Sequence, residues 1–184
     1  MGDPKKPKKK YNTPNHPFRK ARIEEEIKYK NNFGLKNKTE IWKMDSTVKG
    51  YWRQAKKIIA TRTPQAEKER VQLLNKLVKL GLLEQNQEVG AVLNISLEHL
   101  LNRRLQTLVA KKQLARSIKQ ARQFITHGHI VVNGKKITSP SYIVKMEEEP
   151  TISFLPGSTL SSAEHPEKVV QPKSQRKKVR VGAA

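Results

Sequence analysis

The side chains in this sequence that could do chemistry are lysines and arginines, gathered where no acid balances them. From Arg103 to Met146 ten basic residues stand without one Asp or Glu. Guanidinium forks engage phosphate oxygens in pairs, and ammonium groups add compact point charge. A solvated face normally mixes both signs, so an acid-free window of this length reads as a phosphate-gripping surface. Its candidates are Arg103, Arg104, Lys111, Lys112, Arg116, Lys119, Arg122, Lys135 and Lys136, with Ser117, His127, His129 and Asn133 as polar groups beside them. Basic arms add Lys8, Lys9, Lys10, Arg19 and Arg22 near one end and Arg176, Lys177 and Lys178 near the other.

Composition supports a polyanionic partner. The 184 residues hold 38 Lys and Arg against 16 Asp and Glu, a net charge of +22. Such an excess strains a compact monomer by self-repulsion. Nucleic acid is the first candidate and an anionic membrane surface the second. No run of about 18 apolar residues exists to span a bilayer, and the good helices carry cores where a surface-bound helix would carry aromatics opposite its lysines. The stretch MGDPKKPKKKYNTP lacks the apolar part of a signal peptide, and Lys6 stands where a myristoylation pattern wants Ser or Thr. With no cysteine there are no disulfides and no thiolate metal sites, which fits a cytoplasmic protein. The triplets Asn37-Lys38-Thr39 and Asn94-Ile95-Ser96 read as chance matches to a glycosylation pattern.

No enzyme site can be assembled from these residues. Gly128…Gly134-Lys135-Lys136 has a gap of five residues instead of the four of a phosphate-binding loop, and Lys136 replaces the hydroxyl needed for magnesium. His127 and His129 lack further ligands for a metal, and the five histidines define no Ser-His-Asp set. The expectation is therefore no cofactor, no metal and no catalytic residue. The Glu24-Glu25-Glu26 and Glu147-Glu148-Glu149 runs read as solvated faces.

The elements that must carry the basic residues are legible from periodicity and punctuation. A short helix is predicted near Ala21–Lys30. Ser46-Thr47 can cap a helix over 47–60 with Val48, Tyr51, Trp52, Ala55, Ile58 and Ile59 on one face. Thr63-Pro64 starts another, with Val71, Leu74, Leu77 and Val78 on one side and an end near Gly81. Ser96 caps a third, with Leu97, Leu101, Leu105 and Leu108 at helical spacing and Arg103 and Arg104 off that stripe. Ser117-Ile118-Lys119-Gln120 is a capping box, ahead of a buried face of Ile118, Ala121, Phe124 and Ile125. Arg122 and Lys119 fall on its outer side. Gly128 ends that helix, and His129 to Val132, Asn133-Gly134 and Lys135 to Ile137 read as a two-residue hairpin. Tyr142–Val144 and Thr151–Phe154 offer two further short strands.

The predicted architecture is α+β: a basic arm over 1–22, a mainly helical domain over 23–95, and a compact RNA-binding domain over 96–154. That domain has two main helices and a small, mostly antiparallel sheet; a basic tail follows over 155–184. Zinc-finger spacing, a basic zipper and an aromatic-rich sheet are all missing, which leaves shape and backbone recognition of double-helical RNA as the better match. The hairpin's outer positions are expected at His129, Val131, Lys135 and Asn133, so base stacking is a minor feature. No homo-oligomer is expected.

The run Leu100 to Leu105, Ala115-Arg116-Ser117, Ala121 to Ile125, His127-Gly128-His129-Ile130-Val131-Val132-Asn133-Gly134 and Pro140-Ser141-Tyr142 resembles the RNA-binding domain named for the fourth protein of the small ribosomal subunit. Tyr11 to Pro14, Pro17-Phe18, Gly34 to Lys38, Ile41-Trp42, the helices to Leu83, and Arg103 to Thr107 resemble the archaeal and eukaryotic branch of that ribosomal family. The resemblance covers roughly residues 11–154. It implies a structural constituent of the small subunit and a primary rRNA-binding protein. Such a protein nucleates assembly at a multi-helix junction of the 5′ domain of a 16S-type rRNA and lies near the mRNA entrance, beside the fifth small-subunit protein, with a part in translational accuracy. Two departures matter. Some bacterial relatives carry a cysteine-ligated zinc, so here the N-terminal region must be ordered by packing or by RNA. Many copies of the domain have Asp where Gln106 stands, which leaves a nearby arginine without an assigned acidic partner inside the domain. The alternative function is a stand-alone regulatory or ribosome-rescue factor built on the same RNA-binding domain.

Overall fold

The computed structural model describes residues 2, 9–61, 63–162 and 165; Lys8, Arg176, Lys177 and Lys178 lie outside them. Helix α1 spans Lys20–Asn32, α2 spans Lys38–Ala60 and α3 spans Pro64–Lys79. A 3-10 turn at Val89–Asn94 leads to α4 at Leu97–Asn102, α5 at Leu105–Lys111 and α6 at Ile118–Thr126. Strands β1 (Ile130–Val132), β2 (Lys135–Lys136) and β3 (Ser153–Phe154) form one antiparallel sheet in the order β2-β1-β3. The α+β architecture is the one expected from the sequence.

Helix α2 begins at Lys38, well before the expected start at Thr47. Ser46 and Thr47 are interior residues, and their hydroxyls serve other partners. Ser46 Oγ accepts from the Asn12 amide at 3.0 Å, and Thr47 Oγ1 donates to the Lys43 carbonyl at 3.0 Å. A Ser-Thr pair therefore reads as a start only when its oxygens have no such use. The buried line of α2 is Ile41, Met44, Val48, Tyr51, Ala55 and Ile58, while Ile59 turns outward.

The Thr63 cap on α3 is as expected, with Oγ1 accepting from the Ala66 amide at 3.3 Å. The buried line is Ala66, Leu73 and Leu77, and Val71 is exposed instead. The single helix expected from Ser96 through Leu108 is broken at Arg103-Arg104, where Arg104 is extended (φ −70, ψ 141). Tyr142–Val144, expected as a strand, fills this break. The Leu105 amide donates to the Tyr142 carbonyl at 2.8 Å, the Val144 amide donates to the Arg103 carbonyl at 3.0 Å, and Arg104 and Ile143 form a lone bridge.

Three apolar clusters hold the molecule together. One joins α5, α6 and the sheet through Leu105, Val109, Phe124, Ile125, Ile130 and Val132. A second joins α2, α3 and the 3-10 turn through Tyr51, Ala55, Ile58, Leu77 and Val92. The third crosses between them, with Leu35, Ile41, Met44 and Val48 against Leu100 and Leu101. A chain basic on its surface can thus still close a shared core. Among the described residues no helix is long and apolar enough to cross a membrane.

The hairpin is the predicted one. Val132 faces Lys135, and the turn residues Asn133 (φ 50) and Gly134 (φ 72) both have positive φ, as a two-residue type I′ turn requires. The Asn133 amide donates to Thr151 Oγ1 at 3.1 Å, which ties the turn to the chain entering β3. Replacing Asn133→Pro forces φ to about −65° and deletes that donor, a cost of more than about 1 kcal/mol. The expected outcome is loss of the Val131–Lys136 and Val132–Lys135 cross-strand contacts in an NMR spectrum that keeps its helical signals.

Candidate nucleic-acid interface

The expected phosphate-binding residues divide into two groups. Lys111, Arg116, Ser117, Lys119, His127, Asn133, Lys135 and Lys136 are exposed, as are Lys9, Lys10 and Arg19. They are placed by short, strongly specified elements. Ser117 Oγ accepts from the Gln120 amide at 3.2 Å, and Gln120 Oε1 accepts from the Arg116 amide at 2.8 Å. The capping box thus reaches back to Arg116, one residue before the cap. Lys111 lies in the last turn of α5, where a cation also meets the negative end of the helix dipole.

The second group turns inward: Arg122 is not on the outer side expected for it, and Arg103 and Arg104, expected off the leucine stripe, also meet carboxylates. Arg104 is 1% exposed, because the extended break between α4 and α5 sends its side chain into the protein. Its Nη2 reaches Glu40 Oε2 at 2.7 Å. From α6, Arg122 Nη2 reaches Glu40 Oε1 at 2.8 Å and Nη1 reaches Oε2 at 3.2 Å. One carboxylate in the first turn of α2 thus takes two guanidinium groups from the second half of the chain. Burial pushes the Glu40 carboxyl upward, but the hydrogen bonds and charges of Arg122 and Arg104 outweigh it and hold the group below the ordinary 4.5. The acidic partner missing at Gln106 is supplied by Glu40. Gln106 itself is fully buried, and its Nε2 donates to the carbonyls of Gly34 and Ile118, both at 3.0 Å. Gly34 has φ +58, and a Cβ there would stand 2.8 Å from Ile118 Cγ2, so only glycine allows this approach.

Arg103 donates to Glu149 Oε2 at 2.6 Å and to the Val144 carbonyl at 3.1 Å, and Lys112 Nζ donates to the Glu149 carbonyl. The acidic runs are accordingly solvated only in part: Glu24, Glu25 and Glu147 are exposed, and the others turn inward. Glu148 is buried, accepting from the Tyr142 hydroxyl at 2.9 Å and the Lys145 amide at 3.1 Å. Burial pushes its carboxyl up, but those bonds and the Lys145 charge prevail and hold it below the ordinary value. Glu26 is buried as well, where it accepts from Trp42 Nε1 at 2.9 Å and pairs with Arg22 at 3.2 Å and Lys38 at 3.3 Å. Arg22, expected to reach outward from the arm, also donates to the Pro17 carbonyl at 2.8 Å. Together with Lys43 over the Tyr11 ring, these contacts pack Tyr11 and α1 against α2.

His129 is half-buried with Nδ1 2.8 Å from Ser158 Oγ, and its ring stacks near that of His127 at 6.4 Å. Among the described residues no group of three or more His, Cys, Asp or Glu is placed to hold a metal ion. Val131, expected on the outer face of the hairpin, is 5% exposed, because β1 is the central strand and all three of its residues are buried.

The structure adds a feature that the sequence analysis missed. Lys43, Lys49, Arg53, Lys56 and Lys57 are exposed on α2. Lys49, Arg53 and Lys56 stand at i, i+4 and i+7, so they share one helix face. The spacing is present in the sequence, but Asp45 and Glu40 nearby mask it in a search for acid-free windows.

The segment from the break at Arg103 through α6 and the hairpin is a domain of the S4 class: the S4 domain family model matches residues 103–149. Over 169 residues the chain is 51% identical to "Small ribosomal subunit protein uS4" of Methanococcus aeolicus, covering 91% of this chain and 96% of that protein. It is 50% identical to the protein of the same name from Methanococcus maripaludis, covering 91% and 95%. The chain belongs to the uS4 family of small ribosomal subunit proteins.

The Glu40 carboxyl supplies a pH test. A carboxyl whose folded pKa is depressed contributes stability above its unfolded pKa and loses it as pH falls through the folded value. The melting temperature is therefore expected to fall as pH drops below 4.5, with Glu148 acting in the same direction. In Glu40→Gln the fall is shallower, and at neutral pH the variant is destabilised by about 3 kcal/mol because Arg104 is left uncompensated. Thermal melts of both proteins from neutral pH into acid check both statements.

Proposed function

We propose that the chain is a structural constituent of the small ribosomal subunit that binds rRNA through its S4 domain. The observation that carries this reading is identity of about half over nine-tenths of the chain to uS4 proteins. That likeness extends through the helical half as well as the domain. The exposed lysines of the domain are the phosphate contacts, and α2 contributes a second basic stripe. In finer terms, the protein is a primary binder that nucleates assembly at a multi-helix junction in the 5′ domain of the 16S-type rRNA. It lies near the mRNA entrance beside the fifth small-subunit protein and contributes to translational accuracy there. The site of action is the ribosome in the cytoplasm, and the reading assigns no reaction, cofactor or metal. A stand-alone regulatory or rescue factor would leave the full-length likeness, helical half included, without a purpose.

Shape recognition of A-form helices depends on backbone contacts, and such contacts carry a salt signature. Filter binding to the 5′ domain of small-subunit rRNA, against a scrambled RNA of equal length at about 200 mM salt, is expected to favour the genuine fold. Equal and salt-collapsed binding to both RNAs would leave only a generic basic protein. Because Arg122 is committed to Glu40, the surface is tested with the exposed pair Arg116→Ala and Lys119→Ala. The salt slope is expected to fall by about one to two units, at roughly 0.9 per phosphate contact, in a variant that keeps a cooperative melt.

A further inference from the structure

Three kinds of contact join α2 to the domain, and only one of them is both charged and directional. The apolar cluster of Ile41, Met44 and Val48 against Leu100 and Leu101 seats α2 on α4 by close packing but carries no charge. Gln106 holds the loop that leads into α2 through neutral bonds to Phe33 and Gly34. Glu40, by contrast, offers both carboxylate oxygens to two arginines on different elements, Arg104 between α4 and α5 and Arg122 on α6. Charge-assisted forks of this kind fix orientation as well as distance.

A second attachment lies elsewhere: the Met146 amide donates to the Lys79 carbonyl at 2.9 Å, and the Met146 side chain packs against Gly81. Glu40 adds to that joint, and to the apolar packing, a charged tie at the start of α2.

The consequence is largest at the far end of α2. From Glu40 to Lys56 the helix rises about 24 Å at 1.5 Å per residue. A tilt of about 10° at Glu40 therefore moves Lys56 by roughly 4 Å along the same lever, more than the length of a hydrogen bond to a phosphate. Lysine gives no planar fork that would correct such an error.

We propose that Glu40 is a positioning residue for RNA recognition. It sets the angle between the Lys49, Arg53 and Lys56 stripe of α2 and the exposed lysines of the S4 domain, so that both engage one folded RNA together. Glu40 makes no RNA contact itself: its carboxylate is mostly buried, 18% exposed, and already saturated with guanidinium. The proposal rests on the rRNA-binding reading above and adds to it a residue whose charge opposes that of the surface it serves.

The test compares wild type, Glu40→Gln and Glu40→Asp for binding to the folded 5′-domain rRNA and to a plain RNA duplex, at about 200 mM salt and well below each melting temperature. In Glu40→Gln the preference for the folded RNA is expected to fall roughly tenfold, equivalent to about 1.4 kcal/mol, and the salt slope on that RNA by about one to two units. Duplex binding holds or rises as Arg122 is released. Glu40→Asp, which keeps the charge, recovers part of the preference. If Glu40→Gln fails to fold, the double variant Glu40→Met, Arg104→Met replaces the buried pair by apolar groups and is expected to show the same loss of preference. A folded variant with wild-type preference and slope overturns the proposal, because a purely structural Glu40 would lower the melting temperature and leave both unmoved. A wild-type protein with no preference overturns the reading beneath it as well, which separates that failure from one confined to Glu40.

Discussion

The carboxylate of Glu40 is the contact on which the arrangement of the two halves depends. Arg104 is enclosed by the break between α4 and α5, and a buried guanidinium without a counter-charge is costly. Its Nε and Nη1 have no hydrogen-bond partners, so Glu40 carries the compensation. That carboxylate lies on α2, 64 residues earlier in the chain. The domain thus cannot bury its own arginine well without the helical half. The same logic recurs with Glu26, which takes Arg22, Lys38 and Trp42, and with Glu149, which takes Arg103. Few acids are present, and the central ones are spent inside.

This allocation explains which parts of the structure were legible in the sequence. The Asn133-Gly134 turn, the Ser117 and Thr63 caps and the end of α3 at Gly81 are decided by residues adjacent in the chain, and each stands as expected. The α2 start and the break at Arg103-Arg104 are decided by distant partners. Ser46 is taken by Asn12, and the open backbone of Arg103 and Leu105 is taken by Val144 and Tyr142. Helical spacing of Leu97, Leu101, Leu105 and Leu108 continues across the break although α4 buries Leu101 in the cluster with α2 and α5 buries Leu105 and Leu108 in the cluster with α6, so periodicity alone could not reveal it.

The candidate interface was legible as a region but not residue by residue. An acid-free window shows that the balancing acids lie elsewhere; it does not show whether they come back in space. Glu40 and Glu149, both outside the window, return to Arg104, Arg122 and Arg103. Counting charge along the chain therefore overstates how much of it faces solvent. The buried Glu26 and Glu148 escape a reading along the chain for the complementary reason: a run of glutamates looks solvated until the partners of its one buried residue are known.

Arginine and lysine divide the work according to their chemistry. Of the four arginines between 103 and 146, three point to interior or half-buried carboxylates, whereas of the six lysines there only Lys112 is not exposed. A guanidinium is weakly hydrated and matches a carboxylate fork, so it tolerates enclosure; an ammonium is strongly hydrated and stays at the surface. The surface offered to RNA is accordingly dominated by point charges on flexible stems. Such charges attract any phosphate and discriminate little one by one. Selectivity in a surface of this kind has to come from the spacing of its charges. On the reading proposed above, the groups that grip RNA and the groups that set their spacing are different residues, joined through Glu40.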